Sequence, residues 1–201
     1  VNAAPVFVPA VEESGHLPDF AALSDDVLNR TAIAYICSPA NPQGAVADET
    51  YWRSLITLAE KYDFKLFADE CYSEIYRDVP PPGALQVAHQ MGADPERVMI
   101  FHSLSKRSNL PGLRSGFCAG GPQSIARVRQ LRAFAGTPLP EPLQAVATAV
   151  WNDEAHVDET ARSITESMRL RMIFWDTFPA INPHKRDFSF GCRWMMANRR
   201  Q

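Results

Sequence analysis

The stretch VMIFHSLSKRSNLPGLRSGF, Val98 to Phe117, decides how the rest of the chain is read. It opens on Val98-Met99-Ile100-Phe101, an apolar run with the length and composition of a buried strand. The run breaks into His102-Ser103-Leu104-Ser105-Lys106, where two hydroxyls precede a lysine. Arg114 follows eight residues later, after a Pro111-Gly112 turn signal. Two hydroxyls, an amine and a guanidinium at the mouth of a strand make an anion site with a nucleophilic nitrogen beside it. Lysine is a nucleophile only when its amine is neutral, so such a site must disfavour the ammonium by desolvation or a neighbouring cation. The dull alternative for this stretch alone is a loop with a solvated Lys and Arg.

Outward from this stretch, two more apolar runs end in polar clusters. Thr31 to Cys37 runs into Asn41-Pro42-Gln43-Gly44, and Phe64 to Ala68 runs into Asp69-Glu70-Cys71-Tyr72. Helical segments are expected between the strands. Asp48 caps one from Glu49 to about Tyr62, with Trp52, Leu55, Ile56 and Ala59 on one face. Others cover Phe20 to Asn29, Ala84 to Met91, and Gln123 to Phe134 with Arg127, Arg129 and Arg132 on its wet side. Val6 to Val8 and Ser115 to Ala119 read as further short strands, and Asp78 to Gly83 as a surface loop. Prolines 138, 140 and 142 mark a break before helices over Leu143 to Trp151 and Asp153 to about Thr177.

Strands alternating with helices of this length predict an α/β fold with a mostly parallel sheet covered on both faces. In such a sheet, ligands bind outside the carboxyl ends of the strands. Parallel strands would gather all three polar clusters along one rim.

Composition narrows the partners. An apolar fraction of 46% and a charged fraction of 21% suit a globular protein that buries a core. A net charge of -3 gives no electrostatic case for nucleic acid or an anionic membrane. No apolar run approaches the length of a membrane span. Cys37, Cys71, Cys118 and Cys192 form no C-x-x-C pair, and the five histidines show no ligand spacing, so no metal site is expected.

The gathered groups match what pyridoxal phosphate (PLP) requires. Its aldehyde needs a lysine amine, which Lys106 supplies. Its pyridine nitrogen stays protonated only opposite an ionised carboxylate, and Asp69 is that candidate. The ring oxygen calls for donors, here Tyr72 and Asn41. The phosphate calls for hydroxyls and a guanidinium, here Ser103, Ser105 and Arg114.

The order Asn-Pro-x-Gly, Asp-Glu-x-Tyr, Ser-x-Ser-Lys and then Arg resembles the class I/II aminotransferases of the aspartate aminotransferase fold. The strings CSPANPQG (Cys37–Gly44), FADECYSEIY (Phe67–Tyr76) and FHSLSKRSNLPGLRSGF (Phe101–Phe117) resemble, more narrowly, the N-succinyldiaminopimelate aminotransferases of bacterial lysine biosynthesis. The resemblance implies a cytoplasmic homodimer with its active site at the subunit interface, exchanging an amino group between glutamate and 2-oxoglutarate on one side and the N-succinyldiaminopimelate precursor on the other. Aspartate and other class I activities fit the same motifs. It also implies catalytic roles for Lys106, Asp69 and Tyr72, and cofactor binding by Asn41, Asp69, Tyr72, Ser103, Ser105, Lys106 and Arg114.

Residues 1–150 are expected to form part of the PLP-binding large domain, and 151–201 the start of a small C-terminal domain with a divergent tail from Asn182. The chain starts at Val1 and is about half the family's length, so it is expected to be a fragment, and the alternative to an active transaminase is a fragment that does not turn over by itself. It lacks the expected glycine-containing phosphate cradle, the aromatic that stacks on the cofactor, and the arginine for the substrate carboxylate. Ser103-Leu104-Ser105-Lys106 also satisfies S-x-x-K, the nucleophile motif of penicillin-binding proteins and class A β-lactamases. That reading needs S-D-N and K-T-G downstream, and the chain has neither.

Overall fold

Apolar runs become strands at four of the five places where the sequence marks them. The computed structural model describes residues 3–76, 79–136 and 138–177, the last ten of these by backbone alone. Its strands are β1 (Ile33–Cys37), β2 (Lys65–Asp69), β3 (Val98–Ser103) and β4 (Gly116–Gly120). They form one sheet in the order β1-β2-β3-β4. β1 pairs with β2 and β2 with β3 in parallel, while β4 runs antiparallel to β3. The fifth run, Val6 to Val8, is not a strand, and Phe7 is 88% exposed. β-branched residues favour a strand only where a neighbour offers a ladder, and among the described residues none pairs with this segment.

The helices are α1 (Asp25–Arg30), α2 (Glu49–Lys61), α3 (Ala84–Met91), α4 (Leu104–Arg107), α5 (Pro122–Phe134), α6 (Glu141–Trp151) and α7 (Ala155–Thr177). The Asp48 carboxylate accepts the Tyr51 N–H at 2.7 Å and starts α2. Helical spacing then places Trp52, Leu55, Ile56 and Ala59 on one buried face. That face packs with α3 against Ala34, Ile36, Leu66, Ala68 and Val98 of the sheet. Burying a large apolar side chain fully is worth about 1.5–3 kcal/mol, so this layer is the main source of cohesion.

Three expectations need correction. The single helix over Phe20 to Asn29 is a 3₁₀ turn at Phe20–Ala22 followed by α1. Asp19 caps the first and Ser24 the second, and a fresh cap in mid-segment restarts the helix. α5 forms, but its apolar side is not buried: Leu131 is 64% and Phe134 89% exposed. Among the described residues the second face of the sheet is covered only in part: Met99 on it is buried, while its β1 end is open. There Tyr35 is 68% exposed and touches Phe67 edge-on at 5.4 Å, and Phe67 touches Phe101 at 5.3 Å. Cys192 and the tail from Asn182 lie outside the described residues.

Candidate active site

Parallel pairing brings the ends of three strands to one rim. Cys37 lies opposite Asp69 in the β1–β2 register, and Asp69 opposite Phe101 in the β2–β3 register. The loops carrying Asn41, Tyr72 and Lys106 therefore leave the sheet side by side. Because β4 is antiparallel, it begins at this rim, with Gly116 opposite Ser103. Gly116 has no room for a side chain, since a Cβ there would stand 2.5 Å from the His102 carbonyl oxygen. Its absence lets β4 approach the turn that carries the lysine.

The residues singled out in the sequence meet in part. The Asn41 Nδ2–H donates to the Tyr72 hydroxyl at 2.9 Å. Lys106 Nζ stands 5.5 Å from the Tyr72 ring centroid. The exposed Asp69 carboxylate accepts the Cys71 N–H at 3.1 Å. Burial pushes the Cys71 thiol up to about 12, with the hydrogen bond and charge of Asp69 adding to the rise; the Lys106 charge opposes it. Cys71 thus lies within the fields of both the acid and the amine. Cys37 is also raised, first by burial and then by Asp69.

Ser103 caps α4 by accepting the Ser105 N–H at 3.1 Å, and the two serine hydroxyls are 2.9 Å apart. Arg114 directly follows the turn at Pro111–Leu113. Its backbone is left-handed (φ 55°), and its Nη1–H donates to the Pro111 carbonyl at 2.9 Å. It lines a cavity of about 380 Å³ with Ser115, Gly116, Arg132 and Leu143, a set that does not include Ser103, Ser105 or Lys106. The link to the serines is through the chain, since the Ser103 hydroxyl lies 3.3 Å from the Ser115 carbonyl oxygen.

One supporting residue escaped the sequence reading. Glu70, next to Asp69, is buried, accepts the Ala84 N–H at the start of α3 at 2.7 Å, and lies 3.3 Å from His102 Nε2. It therefore clips the end of β2 to the end of β3, which sets Asp69 against the lysine turn. The only local signal was its position inside the Asp-Glu-x-Tyr cluster.

These groups suit PLP by their chemistry: an exposed carboxylate, a phenol bonded to a carboxamide, paired hydroxyls, a guanidinium, and an amine on a short turn.

Compared with known proteins, the chain matches the family described as "Aminotransferase class I and II" over residues 2–185. It is 39% identical over 126 residues to the 4-dedimethylamino-4-oxo-anhydrotetracycline transaminase OxyQ of Streptomyces rimosus, a match covering 63% of this chain and 35% of that protein. It is 35% identical over 143 residues to the LL-diaminopimelate aminotransferase of Halothermothrix orenii, covering 70% of this chain and 35% of that one. The solved structure of a probable N-succinyldiaminopimelate aminotransferase of Thermus thermophilus is 27% identical and has a TM-score of 0.69, over 84% of this chain and 43% of that one. The chain thus spans less than half the length of each of these proteins.

Proposed function

This chain belongs to the class I and II aminotransferase family and carries its aspartate-aminotransferase-like α/β fold, and on that premise we propose that the protein it represents is a PLP-dependent aminotransferase. The observation that carries the proposal is the gathering of Asn41, Asp69, Tyr72 and Lys106 at the ends of three adjacent parallel strands. When bound, PLP supplies an aldehyde and an electron-withdrawing pyridine ring.

The chain's own groups divide the remaining work. Lys106 would hold the cofactor through its amine and would move a proton at the substrate α-carbon. Asp69, left as an exposed carboxylate at the rim, holds a proton on the ring nitrogen. The Asn41–Tyr72 pair serves the ring oxygen, with the carboxamide fixing the direction of the phenol. Ser103, Ser105 and Arg114 would serve the phosphate, with the Arg114 Nη1–H donating to the Pro111 carbonyl.

We assign residues 1–150 to the PLP-binding large domain and 151–201 to the start of the small domain. For substrate, the diaminopimelate series is the best supported. The LL-diaminopimelate and probable N-succinyldiaminopimelate relatives share this segment, and the strings around Asn41, Asp69 and Lys106 fit the N-succinyl enzyme. The proposed reaction is amino transfer between N-succinyldiaminopimelate and 2-oxoglutarate in lysine biosynthesis, by a cytoplasmic homodimer. Aspartate and other class I substrates are the competing assignment.

The test is a panel of amino donors and 2-oxo acids on the full-length gene product, with Lys106→Ala as the blank. Transfer confined to diaminopimelate derivatives would support the substrate. Transfer from aspartate alone would replace it, and transfer surviving in Lys106→Ala would defeat the mechanism.

A further inference from the structure

Lys106 sits in a helix of four residues, Leu104–Arg107. One turn of helix is unstable in isolation, so the direction of its side chains depends on what the two ends are tied to. The front end is held by Ser103, which accepts the Ser105 N–H. The back end, Arg107-Ser108, is tied to residues more than forty positions away in the chain.

Arg107 is almost fully buried, with 9% of its side chain exposed. Its guanidinium donates to the Val150 carbonyl at 3.3 Å, pairs with the Glu154 carboxylate, and lies over the Trp151 ring at 5.2 Å. Next to it, the Ser108 hydroxyl and His156 Nε2 are 2.8 Å apart. His156 Nδ1 faces Asp153 at 3.1 Å, and Asp153 also accepts the Ala155 N–H at 2.9 Å, starting α7. Serine, histidine and aspartate in this order resemble a nucleophile relay. Ser108, however, is only 8% exposed and sits directly after α4 as its C-cap, so the hydroxyl is a tether and not a nucleophile.

We propose that Arg107 and Ser108 form a latch onto the start of α7, making Glu154, His156 and Asp153 positioning residues that set the direction of Lys106. The proposal rests on the reading of Lys106 as the cofactor lysine. It also gives the junction at residues 150–151 a function, because movement of α7 is passed to the lysine turn through these bonds. The consequence of cutting the latch follows from burial. A buried guanidinium that loses its carboxylate is left uncompensated, so Arg107 leaves its site and takes α4 with it.

The experiment uses the 201-residue chain. Hydrogen exchange is measured over Leu104–Leu110 in the wild type, Glu154→Ala, His156→Ala and Glu154→Gln. Each protein is then treated with excess PLP and borohydride, and label is counted at Lys106, Lys61 and Lys65. The two alanine variants should exchange about tenfold faster over Leu104–Leu110 and lose roughly four-fifths of the Lys106 label, with Lys61 and Lys65 unchanged. Glu154→Gln keeps an acceptor for the guanidinium but not the charge, and should fall between the wild type and Glu154→Ala in both readouts. Unchanged exchange, faster exchange with undiminished Lys106 label, or faster exchange that spreads through α2 would each overturn the latch. A wild-type chain without label on Lys106 would instead overturn the cofactor reading, and the positioning role with it.

Discussion

The Asn41 carboxamide donates to the Tyr72 hydroxyl at 2.9 Å, across 31 residues of sequence and between loops that leave two neighbouring strands. Neither residue alone says anything about a ligand, since Asn-Pro marks a turn and tyrosine is usually packing. The bond makes them one unit, with a phenol whose direction is set by an amide. Removing either partner should weaken PLP binding, and removing both should cost less than the sum. A double-mutant cycle with Asn41→Ala and Tyr72→Phe, read by PLP affinity, should give a coupling of about 0.5–1.5 kcal/mol. Strict additivity would show that the contact does not act on the cofactor.

Cys71 reports on Asp69. Its thiol is pushed up to about 12, by burial first and the Asp69 carboxylate next. Alkylation by iodoacetamide at pH 8 should therefore be far slower than for a free thiol, because only the thiolate reacts. Asp69→Asn removes a negative charge that disfavours the thiolate, so alkylation should speed up by roughly 3- to 10-fold. A slower or unchanged rate would mean that the carboxylate does not act on the thiol.

Acid should act through Asp153. Its carboxyl is held below the usual value of 3.8, chiefly by the hydrogen bond from His156. A carboxyl depressed on folding stabilises the fold above its unfolded pKa, and that contribution disappears as pH falls through the lower folded value. The stability gap between wild type and Asp153→Asn should thus be larger at about pH 6 than at about pH 3, below the ordinary carboxyl value. Urea melts at the two pH values check this, and a gap that widens in acid would contradict it.

The α2 layer sets global stability. Trp52 is fully buried and its Nε1–H donates to the Pro82 carbonyl at 3.0 Å. Trp52→Ala leaves a large cavity and an unpaired carbonyl, so it should cost about 3–5 kcal/mol in urea unfolding. A loss under about 1 kcal/mol would mean that the helix layer is not the core.

Sequence signals were most readable where they are local. Asp48 and the spacing of Trp52, Leu55, Ile56 and Ala59 carry both the cap and the buried face of α2. The rim was legible for a related reason: each apolar run stops at a polar cluster, and parallel pairing sends those stops the same way. What depends on distant partners was not legible. Val6 to Val8 has the composition of a strand but, among the described residues, no ladder to join. Tyr35 is spaced for burial, yet it is 68% exposed at the open β1 end of its face. Arg107 and Glu154 are 47 positions apart, and nothing in either neighbourhood marks them as a pair.

The central claim is that, among the described lysines, Lys106 is the one placed to bond the cofactor's aldehyde. It is tested most directly by incubating the protein with PLP, reducing with borohydride and mapping the modified peptide. The account predicts a single stable adduct on Lys106, abolished by Lys106→Ala while the fold is retained. An adduct on Lys61 or Lys65 in its place, or none on any lysine, would contradict it.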